Sequence, residues 1–374
     1  MAYIHELAGW SQFRWDTSVL EANLADVHRA YGRLLGRIDV LGYRTRDEHS
    51  IDAYEADVIS SAAIEGDHLD RLEVRSSLAG RLGYETAGLP VPSREVDGFV
   101  GILLDATRNA GLSLSTGRLH GWYQQLFPAG RSGLDVVTTG DWRPPGSDPM
   151  RVVSGAIGRE RIHFKAPAAS RVPSEMDAFL EWIESPASLP RDPVLRAAVA
   201  HLWFITIHPY EDGNGGIGRA IADLVLARGD ARPGRAFSLS LQIASDRREY
   251  YRSLERQQSG TLDLTPWIIW FVGCMTHAIA RASATLDGVL ERTAAWDSLA
   301  GADLNARQRK VIGQLLGVFE GNLTTAKYAA LAQCSPDTAL RDIQGLVGAG
   351  IVGMNGGRGR STGYRLTLEV SARD

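Results

Sequence analysis

The feature that most constrains this chain is a twelve-residue stretch, His208-Pro209-Tyr210-Glu211-Asp212-Gly213-Asn214-Gly215-Gly216-Ile217-Gly218-Arg219. Ahead of it runs Asp192-Pro193-Val194 and then an apolar segment from Leu195 to Ile207. Asp192 suits an N-cap and Pro193 the first helical position, so His208 is expected at the C-terminal end of a buried helix. Behind it, Ile217 to Ala227 is again helix-periodic. The stretch therefore reads as a turn between two helices, with its glycines where the second helix begins. A helix start offers N–H groups without intrahelical partners and a partial positive charge, which together make an anion site. Glycines there let a phosphate approach the backbone.

The same stretch carries a base (His208), a carboxylate for a hard metal (Asp212), a polar amide (Asn214) and a guanidinium one turn into the helix (Arg219). These are the parts of a nucleotidyl or phosphoryl transfer site. Each alone is weak evidence, because a single His at a helix end is usually structural and a Gly-rich turn is usually only a turn. Their concentration in one loop is a strong signal.

The stretch resembles the signature of the Fic family, His-Pro-Phe-x-Asp/Glu-Gly-Asn-Gly-Arg-x-x-Arg, with Tyr210 in the Phe position and Gly216 where the family has its first Arg. A second string agrees. Ile51 to Leu69 reads as a helix stopped by Gly66, on which Ser61 and Glu65 share a face. By itself Ser61-Ala-Ala-Ile-Glu65-Gly66 is a solvated helix end; beside the signature it matches the family's inhibitory motif, Ser/Thr-x-x-x-Glu-Gly/Asn. The resemblance implies that Glu65 pairs with Arg219 and occupies the place where the γ-phosphate of ATP is clamped.

It further implies transfer of AMP from Mg-ATP to a Ser, Thr or Tyr hydroxyl of a protein. His208 would take the proton from the hydroxyl and Asp212 would hold Mg²⁺. Asn214 and the backbone from Gly213 through Gly215, Gly216, Ile217 and Gly218 would bind the phosphates, and Arg219 would clamp the γ-phosphate. Tyr250 and Tyr251 would lie near the adenine. Gly216 removes a guanidinium, and each charge-assisted hydrogen bond so lost would cost on the order of 1.5–3 kcal/mol in the transition state. Two other readings stay open. One is an ATP-binding regulator with weak or no transfer; the other is an enzyme of the same fold that removes AMP or moves another phosphate-linked group.

Composition sets bounds. Hydrophobic residues are 44% and charged residues 22% of 374, ordinary for a globular chain that can bury two or three cores. The net charge of −4 gives no global reason to expect nucleic-acid or membrane binding. Cys274 and Cys334, far apart, read as thiols of a reducing compartment. The start of the chain lacks the pattern of a signal peptide, so a cytoplasmic protein is expected.

Ser18 to Val40 reads as an amphipathic helix in an N-terminal helical module placed at residues 1–48. A Fic-type core is placed at 49–290. Within it Met150 to Ile157 and Arg161 to Ala166 alternate around Gly158-Arg159-Glu160, a hairpin signal over about 150–166. The resemblance makes this hairpin a flap whose free edge docks the protein substrate. Ala244 to Gln258 and Asp263 to Ala280 read as further core helices. Residues 301–374 read as helix, helix-turn-helix and hairpin, the order of a winged helix. Pro336 to Val347 would be the recognition helix and Arg358 and Arg360 the wing. DNA binding is not favoured: nine Lys/Arg against six Asp/Glu is a mild excess, and Asp337 and Asp342 sit on the recognition helix. The expected fold is thus mainly α, with a β-hairpin flap and a C-terminal winged helix-turn-helix domain. Self-modification and a homodimer are compatible with the sequence.

Overall fold

The computed structural model describes residues 2–41, 43–146, 150–154, 159, 161–186, 190–230, 235–316, 321–355 and 363–367. The chain is mainly helical and divides into two compact units at Ser283/Ala284, within one long helix.

The first unit opens with α1 (Thr17–Asp39), capped by Asp16, whose carboxylate accepts from the backbone of Ser18 and Val19. Its buried residues Leu20, Leu24, Val27, Leu34 and Ile38 recur at helical spacing and form one stripe. Then follow α2 (Tyr43–Glu65), α3 (Arg71–Leu82), α4 (Arg94–Arg108) and α5 (Thr116–Leu126). Position 48, where the sequence suggested that the first module ends, lies inside α2. Gly66, at φ +104°, stops α2 where the sequence placed the stop. Helix α3, not read from the sequence, starts on an Asp70 cap.

Two short hairpins interrupt the helices: β1 (Arg131–Ser132) with β2 (Asp135–Val136), and β3 (Arg151–Ser154) with β4 (Arg161–Lys165). The second is antiparallel, pairs Val152 with Phe164 and Val153 with Ile162, and carries an irregularity between Val152 and Val153. Among the described residues each strand pairs only with the other. Gly155 to Ile157, the end of the first expected strand, and Gly158 and Glu160 of the expected turn lie outside the described residues.

Helices α6 (Val172–Glu184), α7 (Pro193–Ile207) and α8 (Asn214–Arg228) follow. α7 and α8 pack closely, because Gly218 offers no side chain where Ile205 crosses: a Cβ there would lie 2.7 Å from Ile205 Cδ1. The helix expected over Ala244 to Gln258 is instead two, α9 (Leu239–Ser245) and α10 (Arg247–Gln258), broken at Asp246. Asp246 N donates to Gln242 O at 3.1 Å, which closes α9, and Gln242 Nε2 donates back to the Asp246 carboxylate at 2.6 Å. Helix α11 (Thr265–Ser298) is longer than expected. No helix among the described residues is long and apolar enough to cross a membrane.

A buried polar knot joins α2 to α8. Arg235 Nη2 lies 2.7 Å from Asp223 Oδ1 and 3.1 Å from Asp57 Oδ2. Asp57 Oδ1 also accepts from Ser238 Oγ at 2.5 Å and Ser240 N at 3.0 Å. Two carboxylates around one guanidinium leave a surplus negative charge in the interior, which the knot relieves by keeping a proton.

The second unit contains α12 (Ala306–Leu316), α13 (Thr325–Ala332), α14 (Pro336–Gly348) and the hairpin β5 (Val352–Asn355) with β6 (Gly363–Leu366). Thr324 and Ser335 cap α13 and α14, and a bridge from Leu323 to Tyr364 adds to the hairpin. Val311, Ile312, Tyr328, Ile343 and Leu346 build its core. One expectation is corrected. Asp342 does not face outward on α14: it is buried, accepting from Arg307 Nε (2.8 Å), Asn305 Nδ2 (3.0 Å) and Tyr328 Oη (3.2 Å). Its charge is neutralised within the unit, so it is no obstacle to a polyanion. Arg358 and Arg360 lie outside the described residues.

The knot has a pH signature. Burial raises the Asp223 carboxyl, Arg235 pulls it back and Asp57 pushes it up again, to about 7. The folded protein therefore holds a proton that the unfolded chain releases near its ordinary value. This contribution is full below about pH 4 and declines as pH rises through about 7. Asp223→Asn is expected to remove that decline. Urea midpoints of both proteins at about pH 5 and about pH 8 check it; parallel changes in the two would contradict it.

Candidate active site

Helix α7 is built as the sequence leads one to expect. Asp192 Oδ1 accepts from Val194 N (2.9 Å) and Leu195 N (3.1 Å), Pro193 takes the first helical position, and every residue from Ala197 to Ile207 is buried. The helix ends at His208, which sits in the left-handed region at φ 54°. A non-glycine residue there costs on the order of 1–2 kcal/mol, so the surroundings must hold it. Arg143 does. Its Nε donates to His208 O and its backbone N to Pro209 O, both at 2.9 Å, and Nη2 reaches Pro167 O just past the flap hairpin. Arg143 is almost fully buried. The sequence showed only a break at Gly140-Asp141-Trp142-Arg143-Pro144-Pro145; no periodicity marks an arginine that binds carbonyls distant in the chain.

The His208 ring is oriented by its own helix. Nδ1 lies 3.3 Å from Ile205 O, a carbonyl that can only accept, so Nδ1 carries the proton and Nε2 a lone pair. Burial lowers the imidazole pKa to about 4; the bond to Ile205 opposes this and the Arg143 charge adds to it. The ring is thus neutral and ready to accept a proton.

The loop after His208 is clasped from inside. Asn214 Oδ1 accepts from Tyr210 N (3.0 Å) and Asn214 Nδ2 donates to Tyr210 O (2.9 Å). Asn214 is buried, so the phosphate contact expected of its side chain gives way to loop closure. Tyr210 stacks on Tyr123 with ring centroids 4.1 Å apart, and its hydroxyl lies 3.1 Å from His120 Nδ1. The hydroxyl that distinguishes Tyr210 from the family's Phe therefore has a partner. Glu211 accepts from Thr138 N at 2.7 Å and anchors the loop from the other side. Asp212 stays exposed, accepting from Gly213 N (2.7 Å) and from Ser132 Oγ.

Helix α8 starts after Gly213. Its first intrahelical bond runs from Ile217 N to Gly213 O, so the N–H groups preceding it belong to Asn214, Gly215 and Gly216. This narrows the expected anion nest. The Ile217 amide is committed to the helix and its side chain to the core, while Gly218 serves the contact with Ile205.

Over this nest lies the end of α2. Arg219 Nη1 donates to Glu65 Oε1 at 2.7 Å, Nε to Ser61 Oγ at 3.0 Å and Nη2 to Ser61 O at 2.8 Å. The Arg219 side chain is 2% exposed and that of Glu65 32%. The Glu65 carboxylate also covers the nest: a Cβ on Gly215 would lie 2.0 Å from Oε1. Glu65 thus occupies both the guanidinium and the helix start, as an anionic ligand would. At Gly216 nothing is crowded, with Arg219 Nη2 at 3.9 Å from an ideal Cβ.

His208, Gly215 and Glu65 open into one cleft of about 600 Å³, walled by Tyr250, Tyr251, Leu254, Val152, Val153 and Phe164. Tyr250 is buried, its hydroxyl 2.9 Å from His201 Nε2, and is mainly core. Tyr251 is 38% exposed, and its hydroxyl donates to Ile64 O at 3.2 Å, which ties this wall to α2. Of the residues expected from the sequence, His208, Gly215, Glu65 and the two tyrosines line this cleft, while Arg219 and Ser61 lie behind Glu65, to which Arg219 is bonded, and Gly66 ends the helix that delivers Glu65.

Asp212 fits a divalent cation shared with phosphates. Magnesium commonly takes one or two carboxylates and completes its octahedron with phosphate oxygens and water. Asp67 is raised above its ordinary pKa by burial and then by the charges of Asp212 and Glu65. Surplus negative charge therefore gathers beside the nest. No group of three or more His, Cys, Asp or Glu able to hold a metal occurs among the described residues.

The loop geometry separates two neighbouring glycines. At Gly213, φ is +69° and a Cβ would lie 2.9 Å from Phe127 Cε2, whereas Gly216 is helical and open. Gly213→Ala is expected to destabilise by about 1–3 kcal/mol. Gly216→Ala should instead stabilise by about 0.5–1 kcal/mol through helix propensity. Urea unfolding of both variants checks the pair; equal effects would contradict this geometry.

Two family models match parts of the chain. Residues 114–226 match the Fic/DOC family, and residues 3–84 match a domain of unknown function, DUF4172. Protein adenylyltransferase fic-1 of Caenorhabditis briggsae is 29% identical over 125 residues, 33% of this chain and 23% of that protein. Protein adenylyltransferase Fic of Drosophila melanogaster is 22% identical over 281 residues, 72% of this chain and 51% of that protein. The chain thus spans about a quarter to a half of the length of these curated relatives. A Fic domain containing signaling protein from Bacteroides thetaiotaomicron, solved by crystallography, shares the fold at TM-score 0.50 and 21% identity, over 70% of this chain and 97% of that one. The signature loop, α7 before it and most of α8 after it thus lie within residues 114–226, the segment that matches the Fic/DOC family.

Proposed function

We propose that the protein is an adenylyltransferase that moves AMP from Mg-ATP to a hydroxyl of a protein and is held off by its own α2. The observation that carries this reading is the Glu65 carboxylate seated on both Arg219 and Gly215. A carboxylate there competes with a phosphate for the same donors.

In the open state the N–H groups of Asn214, Gly215 and Gly216 hold phosphate oxygens, and Arg219, released from Glu65, clamps the γ-phosphate. Asp212 would hold Mg²⁺, which screens the phosphate charge when bound. His208 Nε2 takes the proton of the incoming hydroxyl. The hydroxyl oxygen forms a bond to the α-phosphorus, the bond from that phosphorus to the β-bridging oxygen breaks, and pyrophosphate leaves. The nest stabilises charge that develops on the α-phosphate oxygens. The target hydroxyl is presented along the flap edge by β-augmentation.

Gly216 favours a second reading, a nucleotide-binding regulator acting through a winged helix in the second unit. It lacks the guanidinium of the family signature, so the first reading expects a slow enzyme, about one to two decades below a complete site.

Purified protein incubated with Mg²⁺ and ATP labelled at the α-phosphate tests the proposal. Label should reach protein weakly in the wild type and strongly in Glu65→Gly. It should be absent from Glu65→Gly with His208→Ala. No label in any of the three with cell lysate added, while ATP still binds, would favour the regulator. Because burial holds the His208 imidazole low and the Glu65 charge acts only to raise it, the acid limb of kcat/KM for Glu65→Gly should lie below the ordinary histidine value of about 6.5. An acid limb at that ordinary value would contradict His208 as a base kept neutral by its surroundings.

A further inference from the structure

The cleft that contains His208 is rimmed by arginines that the signature does not use. Arg161 enters from β4, and Arg247, Arg248 and Arg252 from α10. Arg151, Arg159 and Lys165 add exposed cations on the hairpin, and Arg256 lies one turn beyond Arg252. Across the hairpin (150–166) and α10 (247–258) there are eight Lys/Arg against three Asp/Glu, a net of +5 in a chain whose net charge is −4, which leaves −9 for the rest.

The carboxylates of α10 do not cancel this excess. Glu255 accepts from Arg161 Nη2 at 2.6 Å and from His163 Nδ1 at 3.0 Å, which pins the flap to α10. Burial alone would raise the Glu255 pKa, yet His163 and Arg161 hold it low. Glu249 faces Arg252 at 2.6 Å and Arg256 at 4.0 Å. Each of these carboxylates thus already answers two basic groups. Beside the cations, Val153 and Ile162 are about half exposed on strands that pair only with each other among the described residues.

We infer that this rim selects acidic protein segments: the preferred substrate is an extended peptide carrying Asp or Glu on either side of the modified hydroxyl. This rests on the transferase reading and names the substrate class for it. A strand edge with half-exposed valine and isoleucine matches a polypeptide backbone and its alternating side chains. The guanidiniums alongside match carboxylates and provide steering at low ionic strength. A nucleic acid would use the charge without the strand edge.

The test uses the full chain as Glu65→Gly and three synthetic ten-residue peptides of one Tyr-, Ser- and Thr-containing sequence, flanked by Glu, by Gln or by Lys. With ATP labelled at the α-phosphate, kcat/KM should be about tenfold or more higher for the Glu peptide than for the Gln peptide, equivalent to one or two partly exposed charge pairs. The preference should shrink as salt rises. Arg151→Glu with Arg159→Glu should reverse the order of the Glu and Lys peptides while KM for ATP stays within about twofold.

Equal modification of the Glu and Gln peptides would overturn the inference. So would a change in KM for ATP rather than for peptide, which would assign the rim to the nucleotide. Fluorescence anisotropy of the labelled peptides separates this from failure of the chemistry. Tighter binding of the Glu peptide without any label transfer would keep the acidic partner and reject the transferase. Displacement of the Glu peptide by a single-stranded oligonucleotide at lower concentration than by unlabelled Glu peptide would assign the rim to nucleic acid instead.

Discussion

A guanidinium in the interior must be met by acceptors, and Arg219 is the one on which the site depends. Its side chain is 2% exposed, and the atoms that accept from it, Glu65 Oε1, Ser61 Oγ and Ser61 O, all come from α2. Removing one partner of such a pair while leaving the other buried is far more damaging than the pair's net worth. The arrangement therefore has two good states: Arg219 on Glu65, or Arg219 on another anion of similar geometry. A phosphate is the natural alternative, because the adjacent helix start presents further donors to it.

The rest of the first unit keeps this exchange local. Asp57, Ser61 and Glu65 recur every four residues on one stripe of α2, and Arg219 and Asp223 do so on α8. The lower rung, Asp57 with Arg235 and Asp223, is buried. The upper rung, at Glu65, reaches the cleft and ends at Gly66 with positive φ. On the proposed function, movement of the last turn of α2 would release Arg219 from Glu65 while Ser61 still holds it, and Tyr251, bonded to Ile64 O, lies beside that turn. On the opposite side Arg143 and Asn214 hold the His208 loop by its backbone, so base and nest keep their relative positions.

Much of this was legible in the sequence because it is local. The Asp192-Pro193 start of α7, the loop from His208 to Arg219, the Gly66 stop and the alternation of the hairpin each follow from neighbouring residues. The pairing of Glu65 with Arg219 is long-range and came only through a motif resemblance. What was missed depends on tertiary contact. Arg143 and Arg235 look like ordinary surface arginines in sequence, and nothing local says that they bind carbonyls and carboxylates in the interior. Asn214, expected at a phosphate, and Asp342, expected on the outer face of a recognition helix, each turn inward to close a loop or a small core. Ile217 and Gly218 sit in the signature, but helix geometry commits them to packing.

The measurement that bears most directly on the shared guanidinium is the affinity of ATP, by isothermal titration calorimetry, for the wild type and for Glu65→Gly in the same buffer. Competition for Arg219 predicts tighter binding to Glu65→Gly, by about 5- to 100-fold, the span of coupling free energies of about 1–3 kcal/mol. Equal affinities would mean that Glu65 and the phosphates do not share Arg219, and would contradict this account.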